Sequence, residues 1–203
     1  SALKREEESK YSLTREEAIR AVVSNMNDKD IVVSTTGMIS RELFEIRESN
    51  QQQHERDFLT VGAMGHASQI ALGLALQKPD RTIYCFDGDG AVMMHMGSLA
   101  ITGSLGPKNY IHILFNNGAH DSVGGQPTVG LQINIPQIAD AVGYKTIISV
   151  ETKSDLMNYL KQLNAIQAPI FLEIKVRKGA RANLGRPTTT PIQNKELFMN
   201  FVK

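Results

Sequence analysis

At 203 residues, 41% apolar and 21% charged, the chain has globular composition and enough length for one domain with its own core. Its 22 basic and 21 acidic residues leave +1, which excludes the strong field expected of a nucleic-acid or acidic-membrane binder. A single cysteine, Cys85, excludes an internal disulfide and a thiolate zinc cluster. With no apolar run near the ~18–20 residues that cross a bilayer, it leads us to expect a cytoplasmic protein.

Residues 1–13 are dense in charge and read as a linker arm, with a solvated helix end as the alternative. Ser1-Ala2 lacks an initiating methionine, so the chain is expected to be part of something longer. Thr14 and Glu17 form a capping box, and Ala18, Ile19, Val22, Val23 and Met26 follow as one helical stripe. From there β-rich and helical segments alternate. DIVVST (30–35) predicts a strand and 40–48 a helix that carries Glu42, Glu45 and Glu48 on a surface-type face. A short strand over 57–62 precedes a helix over 64–77, and TIYCFD (82–87) precedes a helix over 91–105. YIHILFN (110–116) is the most apolar strand and leads into a Gly-rich loop, 118–130. Pro136 suits a first helical turn. KTIISV (145–150), a helix over 154–166, IFLEIKV (170–176), a basic loop (177–187) and a helix near 193–202 complete the run. The pattern predicts an α/β fold, a doubly wound six-stranded parallel sheet with helices on both faces.

Ligands of such sheets bind beyond the carboxyl ends of the strands. Three of those ends are unusual: Gly62-Ala63-Met64-Gly65, Asp87-Gly88-Asp89-Gly90 and Asn116-Asn117-Gly118. Glycines there let the backbone approach a ligand and offer N–H groups to an anion. Asp89 is a hard oxygen ligand between two of them, and an amide oxygen from Asn116 or Asn117 could help complete a magnesium site. Either pair alone is usually just a turn. The third glycine of a dinucleotide fingerprint is missing, since position 93 is Met, and there is no P-loop motif.

Taken together, GDG at 88–90 and NN at 116–117, with 25 residues between them, resemble the signature of thiamine-diphosphate-dependent enzymes. The resemblance covers residues 14–203, the diphosphate-binding domain of that family. It implies thiamine diphosphate and Mg2+ as cofactors, with the Asp89 carboxylate, the Asn117 side chain and the Ala119 carbonyl on the metal. Asn116 would brace the loop. Gly88, and the Gly90 and Ala91 N–H groups, would face the diphosphate. Met64 would sit under the bend of the cofactor, with the Gly62 carbonyl and the Met64 N–H reaching the aminopyrimidine and Ala63 between them; a plain core methionine is the alternative. Thr36-Gly37 either touches the diphosphate or makes a simple turn.

Within the family, NNGAHDSVGGQPT (116–128), GDGAVMMHMGSLA (88–100) and LGRPT (184–188) resemble phosphonopyruvate decarboxylases and, more distantly, sulfopyruvate decarboxylases. The implied substrate is 3-phosphonopyruvate, decarboxylated to phosphonoacetaldehyde. His120 and Asp121, just past the metal loop, are the catalytic candidates; His120 would serve protonation or the substrate headgroup, against a structural role. His66 and His95 read as core or interface histidines on helices, His54 and His112 carry no context, and Cys85 reads as a small core residue. Lys175, Arg177, Lys178, Arg181 and Arg186 form the one basic cluster, for the anionic headgroup or as a solvated or partner-docking surface. The family also needs a glutamate on a pyrimidine-binding domain. Only one six-strand set is present, so that domain is expected elsewhere, in the same full-length chain or in a separate subunit, with a homo-oligomer as the working unit. Competing readings are another thiamine-diphosphate carboligase and a non-catalytic nucleotide-binding module.

Overall fold

The protein is described here over residues 10–203 by a computed structural model. Its strands are β1 (Ile31–Ser34), β2 (Asp57–Leu59), β3 (Ile83–Gly88), β4 (Tyr110–Asn116), β5 (Ala119–His120), β6 (Gln126–Pro127), β7 (Thr146–Val150) and β8 (Ile170–Lys175). Six of them form one parallel sheet in the order β2-β1-β3-β4-β8-β7, and β5 and β6 pair as a separate antiparallel ribbon. The helices are α1 (Arg15–Val23), α2 (Met38–Ser49), α3 (Ala67–Gln77), α4 (Asp89–Met94), α5 (Gly97–Leu105), α6 (Ile135–Ala141), α7 (Lys153–Leu160) and α8 (Pro191–Phe201). Alternation along the strands divides the core. Val32, Phe86, Ile113 and Leu172 pack under α1, α2 and α7, whereas Val33, Cys85, Leu114 and Phe171 pack under α3, α6 and α8. The expected doubly wound sheet is therefore present.

β2 lies on one side of β1 and β3 on the other. The connections leaving β1 and β3 diverge there and open a crevice at their carboxyl ends, the topological switch point of such sheets. At the outer edge, α8 closes β2: the Asn194 side chain accepts from the Leu59 N–H (3.0 Å) and donates to the Asp57 carbonyl (2.9 Å). Beside it, Arg47 and Asp57 make a fully buried, two-pronged ion pair at 2.7 and 2.9 Å. Among the described residues no helix is long and apolar enough to cross a membrane.

Several boundaries differ from the sequence reading. Residues 1–9 of the expected arm lie outside the described residues, but Leu13 is buried and its carbonyl accepts from the Arg177 N–H, so the ordered domain starts before Thr14. The helix expected from 64 begins at Ala67, because Gly62, Ala63 and Gly65 all have positive φ and hold the chain in a turn. The helix expected over 91–105 is two: α4 starts at Asp89 inside the GDG triplet, and the chain turns at His95–Met96 before α5. The helix expected over 154–166 stops at Leu160, with a short 3-10 turn over Leu163–Ala165. Glu42 is a correction of substance: it is buried, not on a surface face, because Arg15 of α1 neutralises it. Glu45 remains partly exposed, in an ion pair with Arg181, and Glu48 is exposed beside His54.

Candidate functional site

The strand ends at the switch point line an open cleft. Thr35 and Thr36 follow β1, and Gly88 ends β3 with Asp89, Gly90 and Ala91 opening α4. Asn117, Ala119, His120 and Asp121 follow β4, and Met64 enters from the turn after β2. Segments far apart in sequence thus meet at one place. A Cβ built on Gly90 would fall 2.4 Å from His120 Cε1 and 3.1 Å from Met64 Cε, so only glycine lets the two side chains converge over this backbone. Gly62 and Ala63 do not line the cleft; they shape the left-handed turn that carries Met64 into it. Ala63, at φ 46°, is a non-glycine residue in the left-handed region, the kind of strain that accumulates at functional sites. Gly37 adjoins the cleft, where a Cβ would meet Ser122 Cβ at 3.1 Å.

Asp89 is buried, and its Oδ2 accepts from the Thr128 hydroxyl. Burial pushes its carboxyl above the usual carboxylate range, and Thr128, a backbone N–H and His120 pull the other way. Asn117 donates from Nδ2 to Asp121 Oδ2 at 2.7 Å and accepts the Ala119 N–H at Oδ1. Asn116 does not reach the cleft; its Nδ2 donates to the Gly130 carbonyl and to Glu173, both at 2.8 Å. Asp121 also takes Arg15 Nη1 at 2.8 Å and the Gly179 N–H at 3.1 Å. The Thr35 hydroxyl is buried in the wall of the cleft without a hydrogen-bond partner. A buried carboxylate, an amide oxygen and an unpartnered hydroxyl beside glycine backbone form an all-oxygen set. That set fits Mg2+ with an anionic diphosphate.

Other sequence candidates lie outside the cleft. His66 and His95 are exposed, flank helices rather than sit in them, and touch ring to ring at 4.2 Å, which overturns the core reading. His54 stacks on Phe44. His112 is buried behind the site, between the Tyr144 hydroxyl (3.0 Å) and Asp87 Oδ2 (3.4 Å), while Asp87 Oδ1 accepts the Gly88 N–H. Cys85 is in the core, and burial pushes its thiol up. In the basic cluster, Lys175 pairs with Glu151 and Arg181 with Glu16 and Glu45. Sequence reasoning missed Arg15, Thr35 and Thr128. Of these, only Thr128, next to the Gly-rich loop, had a local signal.

Residues 33–174 match the family described as thiamine pyrophosphate enzyme, C-terminal TPP binding domain. The chain belongs to this family. Thiamine diphosphate is its cofactor, which domains of this kind usually hold through Mg2+. Phosphonopyruvate decarboxylase of Streptomyces viridochromogenes is 38% identical over 93% of this chain and 46% of its own length. The sulfopyruvate decarboxylase subunit beta of Methanocaldococcus jannaschii is 34% identical over 93% of this chain and 97% of its own. The domain thus spans about half of the first relative and nearly all of the second. Benzoylformate decarboxylase from Polynucleobacter necessarius, a solved structure, shares the fold at TM-score 0.71 and 17% identity, over 89% of this chain and 36% of that one.

Proposed function

We propose that this chain supplies the diphosphate- and Mg2+-binding half of a 2-oxo-acid decarboxylase acting on 3-phosphonopyruvate, giving phosphonoacetaldehyde and carbon dioxide in phosphonate biosynthesis. The observation that carries the reading is the convergence of Asp89, Asn117, Gly90, Met64 and His120 on one cleft. Support for the substrate comes from the 38% identity to a phosphonopyruvate decarboxylase. When bound, thiamine diphosphate supplies the electron sink that lets carbon dioxide leave a 2-oxo acid. Asp89, Asn117 and the Ala119 carbonyl hold the metal. Gly88, Gly90, Ala91 and Thr36-Gly37 border the diphosphate, and Met64, aimed by Gly62 and Ala63, props the bend of the cofactor. His120, over Gly90, delivers the proton that replaces carbon dioxide, and Asp121 acts on the site through Asn117.

The anionic headgroup falls to the basic cluster, in which Lys175 and Arg181 are already paired and Arg177, Lys178 and Arg186 make no ion pair among the described residues. The pyrimidine-binding half comes from another segment of the same full-length chain or from a separate subunit, and the working unit is a cytoplasmic homo-oligomer. Sulfopyruvate is the second reading, favoured by the beta subunit that the chain matches over 97% of its length.

The test is carbon dioxide release from phosphonopyruvate, sulfopyruvate and pyruvate, with thiamine diphosphate and Mg2+, by this chain joined to its pyrimidine-binding half. Turnover confined to phosphonopyruvate and lost in Asp89→Ala supports the reading. Turnover confined to another acid replaces the substrate, and none on any acid, with no cofactor bound, removes it.

A further inference from the structure

Arg15, the first residue of α1, lies far in sequence from every motif of the site, yet it reaches the cleft wall. Its Nε and Nη2 grip both oxygens of Glu42 on α2 at 2.8 and 3.0 Å, and its Nη1 donates to Asp121 Oδ2 at 2.8 Å. Arg15 is 4% exposed and Glu42 2%, so that pair is shielded from water, while Asp121 is partly buried. Asp121 Oδ2 is in turn the atom that receives Asn117 Nδ2.

The chemistry of the last contact fixes a direction. Asp121 Oδ2 accepts from Arg15 Nη1 and from Asn117 Nδ2, so the Asn117 amide turns its NH2 toward Asp121 and keeps Oδ1 for the Ala119 N–H and the metal. A displaced Asp121 would leave only the Ala119 N–H to orient the amide, and a rotated amide would present an NH2, which cannot ligate Mg2+. Arg15 holds Asp121 in place, and the two-pronged grip of Glu42 fixes Arg15. We propose that Arg15 is a positioning residue for the metal: anchored by Glu42, it holds Asp121 so that Asn117 meets the metal through oxygen. The inference rests on the reading of Asn117 as a metal ligand.

The test uses this chain with its pyrimidine-binding half, saturated with thiamine diphosphate and titrated with Mn2+ as a paramagnetic stand-in for Mg2+. Arg15→Met should bind Mn2+ about 10–100-fold more weakly, the range for loss of an outer-shell partner. Water-proton relaxation should show one more water on the bound ion, where Asn117 has let go. Arg15→Lys, which keeps a charge but cannot grip Glu42 with two prongs, should fall between. Asp121→Asn, of the same shape, should behave like Arg15→Met and serves if that variant does not fold.

Mn2+ affinity within about twofold of the parent in both Arg15→Met and Asp121→Asn, with Asp89→Ala weakened, overturns the proposal and leaves the metal site standing. Weaker binding with an unchanged water count signals general loosening and overturns it too. Unchanged affinity in Asp89→Ala removes the metal site, and the proposal with it.

Discussion

The two side chains assigned to the metal are held in different ways. Asp89 leans on the Thr128 hydroxyl, which itself accepts the Gly130 N–H; Asn116 takes the Gly130 carbonyl and reaches Glu173, which accepts from the Ser149 hydroxyl. These links run through one loop and neighbouring strands, where register sets Ser149 directly opposite Glu173. Asn117 instead depends on Asp121, Arg15 and Glu42, an ion-pair brace spanning two helices and the metal loop. A hydroxyl–amide brace assembled by strand pairing can lose one member cheaply. A buried ionic brace cannot, because each lost partner leaves a charge without compensation.

The largest effect expected is common to both sides. Asp89→Ala and Asn117→Ala should each weaken Mg2+-dependent binding of thiamine diphosphate by more than the about 100-fold that bounds an outer-shell loss, as read by calorimetric titration. The braces should then separate. Arg15→Met should destabilise the metal-free protein by about 3–5 kcal/mol in urea unfolding, and replacing Arg15 and Glu42 together by methionine should recover much of that. Thr128→Val should cost less, about 1.5–3 kcal/mol for one hydrogen bond to a carboxylate, and loosen the metal by less than about tenfold. A larger loss in Thr128→Val than in Arg15→Met would invert the comparison.

The smallest effect is a pH signature of the ionic brace. Burial pushes the Glu42 carboxyl above its ordinary value of 4.5, with Arg15 opposing. The native state therefore keeps the Glu42 proton to higher pH than the unfolded chain does, and stability falls as pH rises from 4.5 through the raised value. Glu42→Gln cannot ionise and should remove that part of the fall, read as urea midpoints between about pH 4 and pH 7.

The sheet was legible in the sequence because its short, β-rich apolar runs are separated by helix caps and breakers, as at Thr14 and Pro136. Asp89 and Asn117 were legible because glycines and amides at strand ends are local features. The braces were not. Arg15 is 27 residues from Glu42 and 106 from Asp121, and nothing in either neighbourhood marks the pairing. Glu42 looked solvated because it shares helical spacing with Glu45 and Glu48, while its burial comes from a partner on another helix. The break between α4 and α5 was hidden as well: the run through Met93, Met94 and Met96 has no strong breaker, and its bend brings His95 Cδ2 to 2.6 Å from the Cβ position of Gly65.

Asn194 occupies the outer edge of β2 with one acceptor and one donor, as a neighbouring strand would. In effect the last helix works as a stopper. Another β-strand cannot extend the sheet past β2 while α8 is seated, which leaves β7 as the sheet's other edge. Removing the chain from Pro191 onward would uncover Asp57 and Leu59, and with them a template for edge-to-edge self-association.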